Sequence, residues 1–152
     1  MALAPLSLLE LAEPNTGAPM HAHEMISSHP NVNGEPNDAL IACVEECYAC
    51  AQACTSCADS CVGEDTSPSL TQCIRLNLDC ADVCAATGAL ASRRSGANGQ
   101  TLRMMLEACA TACRICGEEC HRHASHHEHC RLCAQICLRC GQACDQARRT
   151  FS

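Results

Sequence analysis

Cysteine carries the chemistry of this chain. Cys43, Cys47, Cys50, Cys54, Cys57 and Cys61 follow one another at intervals of four, three, four, three and four residues. At about 100° per residue, that rhythm keeps all six on one line along a helix. The same C-x3-C-x2-C-x3-C unit recurs at Cys109, Cys113, Cys116 and Cys120, and at Cys133, Cys137, Cys140 and Cys144, with Cys130 extending the latter. A thinner copy, Cys73, Cys80 and Cys84, has Asn77 where the rhythm asks for a further thiol. Alternating threes and fours mark the a and d positions of helices that share an axis, so all eighteen thiols are expected to face one interior column.

Thiolate is the preferred protein ligand of soft cations, Cu(I) foremost. Cysteines at i and i+4 chelate one ion from a single helix, and a sulfur bridges two ions, so a ladder of sites follows. One Cu(I) per thiolate is neutral, whereas a Zn(Cys)4 site keeps two negative charges inside a chain that has no lysine. Zinc would also saturate at about four ions by ligand count. The expected cargo is therefore Cu(I), multiple ions per chain, with the eighteen cysteines as ligands. Zinc and iron–sulfur binding stand as alternatives, although the C-x2-C-x2-C-x3-C-P signature is absent. Disulfides along one helix are poorly placed, since i and i+4 Cβ atoms lie about 5–6 Å apart against the roughly 3.5–4.5 Å required. Cross-helix bridges remain geometrically open, so a disulfide-stapled structural or interaction protein is the second reading. The C-x-x-C pairs, such as Cys47 and Cys50, lack a βαβ context for redox work. No nucleophile–base arrangement is apparent, and no enzymatic activity is expected.

The elements that must position these thiols are helices. Leu, Ile, Val and Phe make up roughly 16% of the chain, too little for an ordinary core. Free cysteine packs as a small hydrophobe and makes up the deficit. Five of six prolines precede residue 37 while every cysteine follows it, so residues 1–35 read as a loose N-terminal arm, with one short helix through His21 to Ser28. Residues 36–152 read as the bundle domain. Breakers delimit four helices: about 36–62, ending at Gly63; from Ser67-Pro68 to about Arg94; from near Gly99 to about His123; and from a Ser125/Glu128 capping box to about Thr150. Short connections between long helices imply an all-α, antiparallel up-down-up-down four-helix bundle.

That topology brings the turns at 62–68 and 123–126 to one end, where Cys61, Cys73, Cys120 and Cys130 should cluster. His121, His123, His126, His127 and His129 belong to the same end. Continuing the seam by threes and fours puts His123 and His126 on it, and His123, His126 and His127 are singled out as metal-handling residues. At the opposite end the seam closes in Leu102, Leu106, Ala91, Ala147 and Phe151, an apolar plug without ligands for copper. Met104 and Met105 lie nearby and are read as packing residues. His21, His23 and His29 in the arm are read as surface histidines.

The net charge of −7, with ten arginines, leaves no basic footprint for nucleic acid. No stretch approaches the ~18 apolar residues of a membrane span. No Lys or Arg occurs before Arg75, so a signal peptide would lack its basic region, and a cytoplasmic location with reduced thiols is expected. On the repeated C-x3-C-x2-C-x3-C units, residues 36–150 resemble the bacterial copper storage proteins, in their cytosolic branch. The resemblance implies a four-helix bundle, a homotetramer, and Cu(I) bound along the core by cysteines. A copper donor or acceptor protein would be a further partner. Asn77 departs from the ladder, which implies a gap or an unusual ligand set at its level.

Overall fold

The computed structural model describes residues 21–65 and 67–150. A short α1 (Ala22–Ser27) precedes four long helices, α2 (Asp38–Gly63), α3 (Thr71–Ser92), α4 (Gly99–His123) and α5 (Glu128–Arg149). Among the described residues there is no strand. Residues 1–20 and Phe151, the latter expected in the plug, lie outside the described residues.

Local chemistry sets most of the boundaries. Asn37 caps α2, its side-chain oxygen accepting from Leu40 N–H at 3.1 Å. Gly96, at φ +72°, turns the chain between α3 and α4 in a conformation that disfavours a Cβ. Two starts differ from expectation. Ser67-Pro68 opens a 3-10 turn, Ser67–Leu70, and the α-helical geometry begins only at Thr71. The Ser125/Glu128 capping box does not form. Instead the His126 and His127 N–H groups bond back to the His123 carbonyl at 3.1 and 3.0 Å, and α5 begins at Glu128 with His127 in the N-cap position. The tight turn that follows α4 uses up the residues the box would need.

The helices form a square in which α2 packs on α3 and α5, and α4 packs on the same two. Sulfur contacts give their directions. Cys43 near the start of α2 meets Cys144 near the end of α5 at 3.6 Å, while Cys61 near the end of α2 meets Cys73 near the start of α3 at 4.0 Å. Neighbours therefore run antiparallel. Close approach between α4 and α5 depends on Gly117, where an added Cβ would stand 3.3 Å from Cys137 Cβ.

The plug forms as anticipated from Leu102, Leu106, Ala91 and Ala147, all at most 1% exposed. The start of α2 adds buried Leu40, Ile41 and Val44 to the core, and α1 adds Ile26. Met104 is not a packing residue: it lies 65% exposed on the outer face of α4, while Met105 is half-buried.

Candidate metal centre

Every cysteine is free, and none is more than 2% exposed. Between them the four helices stack thiols from end to end. At the plug end, Cys43, Cys47 and Cys144 lie within 3.6–3.8 Å of one another. Cys47 continues to Cys109 at 3.8 Å and Cys140 at 3.9 Å, and Cys84 meets Cys109 at 3.6 Å and Cys113 at 3.5 Å. Cys80 reaches Cys84 at 3.8 Å and Cys113 at 3.9 Å. In the middle, Cys50 touches Cys113, Cys137 and Cys54 at 3.8–3.9 Å. Cys54 in turn meets Cys137, Cys133 and Cys116 at 3.6, 3.7 and 4.0 Å. At the far end Cys73 lies 3.7 Å from Cys120 and 4.0 Å from Cys130, and Cys57 lies 4.0 Å from Cys130.

These spacings suit a soft cation shared among sulfurs. Several sets of four donor atoms lie within 4.8 Å of one another, among them Cys47, Cys109, Cys140 and Cys144, and Cys54, Cys116, Cys133 and Cys137. The members of each set come from two or more helices, and neighbouring sets share sulfurs, so ions held in them would be bridged. The Sγ–Sγ separations, 3.5 Å and longer, are far from the roughly 2.05 Å of a disulfide.

Burial and mutual hydrogen bonding set the protonation of the column. Burial, reinforced by the charges of Cys61 and Cys120, pushes the Cys130 thiol up to about 12. Cys61 is likewise raised, foremost by burial. Deeper in, thiols split according to the bonds they share. Cys50, Cys80 and Cys109 are lowered, each foremost by its bond with Cys113, and Cys113 is raised, foremost by its bond with Cys109. A thiolate held by neighbouring S–H groups makes its donors harder to ionise. The column therefore surrenders protons in steps and needs cations to lose them all.

Asn77 fills its seam position completely buried. Its amide nitrogen donates to the Cys73 carbonyl at 2.8 Å and to Sγ of Cys120 and Cys73 at 3.3 and 3.4 Å. Its Oδ1 accepts from Cys133 at 3.1 Å and Cys116 at 3.5 Å. The expected gap is thus occupied by an amide that links the thiols on either side of it.

The histidines separate into distinct environments. His126 is exposed, and the seam does not extend to it because α5 starts two residues later. His123 is half-buried and bonds Glu119 at 3.2 Å, a carboxylate that also accepts from Arg122 at 2.6 Å. His127 places Nδ1 3.0 Å from Glu64 Oε1. His129, absent from the residues singled out by sequence, is the imidazole that reaches the column. Its Nδ1 lies 3.4 Å from Sγ of both Cys57 and Cys130 and 4.0 Å from Cys61 Sγ, and these four donors form one potential ligand set. Its Nε2 lies 3.1 Å from Glu64 Oε1. The missed signal was its spacing of four residues from Cys133 within α5. Glu64 itself is held below the usual carboxylate range, foremost by His127 and then by His129.

Comparisons with known proteins agree with this geometry. Residues 36–149 match the family model described as copper storage protein. The chain is 37% identical over 103 residues to the cysteine-rich protein YhjQ of Bacillus subtilis (strain 168), covering 68% of this chain and 90% of that one. Among solved structures, the copper storage protein Ccsp of Streptomyces lividans, loaded with 10 copper equivalents, superposes with a TM-score of 0.81 at 48% identity, over 84% of this chain and 98% of that one. A cytosolic copper storage protein from Streptomyces lividans, with five coppers, gives 0.72 at 54% identity, over 74% and 93%. The Cu(I)-bound copper storage protein BsCsp3 gives 0.60 at 35% identity, over 68% and 92%.

Proposed function

The chain belongs to the copper storage protein family, and from that premise we propose that residues 36–152 form a storage domain whose eighteen cysteines take up Cu(I) as cargo in high capacity. The observation that carries this reading is the unbroken run of buried, free thiols from Cys43 and Cys144 at one end to Cys61 and Cys130 at the other. A cation of low charge and soft character fits such a run, because one ion per thiolate balances the charge it creates in an interior that, among the described residues, has no buried basic side chain. Copper is sequestered rather than transformed, and no catalytic role is assigned.

Copper enters and leaves at the histidine end. His129 acts as the outermost ligand, with Cys57, Cys61 and Cys130, and His127 and His123 line the approach. The apolar plug at the other end offers no donor, so an ion there would have to shed its ligands. A homotetramer, as the resemblance implies, is supported by apolar side chains left on the outer faces of α4 and α5, Met104 at 65% and Leu138 at 62% exposure. A cytoplasmic site of action fits the free thiols and the cytosolic relative, and among the described residues no helix is long and apolar enough to cross a membrane.

The direct test is anaerobic Cu(I) titration of the fully reduced protein against a competing chelator, with metal per chain measured independently. Uptake far beyond ten ions per chain supports storage along the whole column. Saturation near four ions would mean zinc-like sites and defeat the reading.

A further inference from the structure

Glu64 carries no sulfur and lies outside the cysteine pattern, yet it organises the mouth of the column. It stands in extended conformation just after α2, its N–H still bonded to the Cys61 carbonyl. Its Oε1 lies 3.0 Å from His127 Nδ1 and 3.1 Å from His129 Nε2. An ionised carboxylate only accepts hydrogen bonds, so each imidazole nitrogen that faces it carries a hydrogen. For neutral His129 this leaves Nδ1 bare, and Nδ1 is the atom 3.4 Å from the sulfurs of Cys57 and Cys130. For neutral His127 it leaves Nε2 bare.

We propose that Glu64 is a positioning residue for copper: through one oxygen it fixes the tautomer and ring orientation of His129 and His127, so that His129 turns a lone pair toward the outermost thiols. This rests on the reading of His129 as the mouth ligand. The opposite tautomer would aim an Nδ1–H at the sulfurs. That hydrogen would bond to a thiolate and compete with the incoming cation for the same electrons, so the ring would guard the column instead of feeding it. Carboxylate partners of this kind set the orientation and basicity of metal-binding imidazoles generally. Here the arrangement has a second consequence. Glu64 belongs to the α2–α3 connection and the histidines to the start of α5, so the shared oxygen also holds two loops of the mouth at a fixed separation.

The test compares the full-length parent, Glu64→Ala and Glu64→Gln, reduced and metal-free, by 15N NMR of the imidazole nitrogens, followed by stopped-flow transfer of Cu(I) from a chelator. In the parent, His129 should carry its hydrogen on Nε2. Glu64→Gln keeps an accepting oxygen and should preserve that tautomer and most of the transfer rate. Glu64→Ala should lose the fixed tautomer and slow transfer roughly 10–100-fold, with copper capacity unchanged. A parent with hydrogen on Nδ1 would overturn the proposal even if the alanine variant failed to fold. An alanine variant with unaltered imidazole signals would overturn it too. A His129→Ala variant separates the two levels. If it slows transfer while Glu64→Ala, its tautomer lost, does not, Glu64 has no positioning role. If neither slows transfer, the reading of His129 as mouth ligand is what fails.

Discussion

Proton release during loading distinguishes one copper per thiolate from two thiolates per copper. Of the eighteen thiols, burial and shared bonds raise twelve above the ordinary value of 9.0, so these are protonated at pH 7. The other six are lowered, Cys43 to about 5, foremost by Cys144, and Cys120 to about 4, foremost by Cys116. Complete loading must therefore expel between twelve and eighteen protons per chain. Spread over eighteen ions, that is about 0.7 to 1 proton per copper; spread over nine, it is about 1.3 to 2. The second case would also leave about nine negative charges uncompensated in the interior, at several kcal/mol each, which decides for the first. The assay is anaerobic pH-stat titration with Cu(I) supplied from a weak chelator. A ratio above about 1.3 with saturation near nine ions would refute the neutral-pairing argument. The sign of the pH effect follows from the raised thiols. Acid favours the protonated, metal-free column, and each unit fall in pH should weaken retention about tenfold per ion coupled to one proton.

The remaining expectations concern the scaffold. The reduced, metal-free protein should give a helical far-UV circular dichroism spectrum, because neutral thiols pack as core residues without metal. Cys130 is raised from 9.0 to about 12, so its contribution to stability is intact below pH 9 and lost as pH climbs toward 12, which denaturation midpoints across that window would reveal. Gly117→Ala should destabilise by about 1–3 kcal/mol, since its Cβ would crowd Cys137 Cβ at 3.3 Å. Gly141→Ala, with its nearest neighbour at 3.6 Å, should instead gain roughly 0.5–1 kcal/mol in helix propensity, both values read from chemical denaturation. Leu106→Ala should cost about 2–5 kcal/mol yet leave copper transfer rates unchanged while the protein remains folded; a faster rate would mean the plug end conducts.

The bundle and its thiol column were legible because a helical period of 3.6 leaves little freedom to a 4-3-4-3-4 spacing: once Cys43 faces inward, Cys61 does too. The plug residues followed from the same register. The mouth was harder to read, because register applies only inside a helix. Extending the seam of α5 backward reaches His126 only if the helix does, and α5 begins at Glu128. His126 is left exposed, while His129, inside the first turn and four residues before Cys133, is drawn to the column. Glu64 was illegible for a related reason. It follows the last residue of α2, and its partners lie 63 and 65 positions away on another connection, a separation no local pattern reports. The misjudged capping box has the same origin: a Ser-x-x-Glu match says nothing of a preceding helix that ends too late to leave room.

Cysteine can serve here as both core and store because the thiol changes character without changing place. Protonated, it is a small apolar group, and eighteen of them fill the axis of a bundle too poor in aliphatics to fill it otherwise. Deprotonated, each is a ligand with a charge that the interior tolerates only beside a cation. Loading is thus largely an exchange in which protons leave the raised thiols as copper arrives, and the fully loaded column is neutral at one Cu(I) per thiolate. On the proposed reading both species use the same opening, since Leu102, Leu106, Ala91 and Ala147 close the other end and hold neither ligand nor proton acceptor. The donors at that opening match this traffic: His129 offers nitrogen to the soft ion, and Glu64 and Glu119 hold the hydrogens of the surrounding imidazoles. Filling the plug end with ligands would add capacity but would also open a second route of loss. On the proposed reading, a store with a single mouth retains its cargo by making every departing ion pass through the one set of donors at His129, Cys57, Cys61 and Cys130.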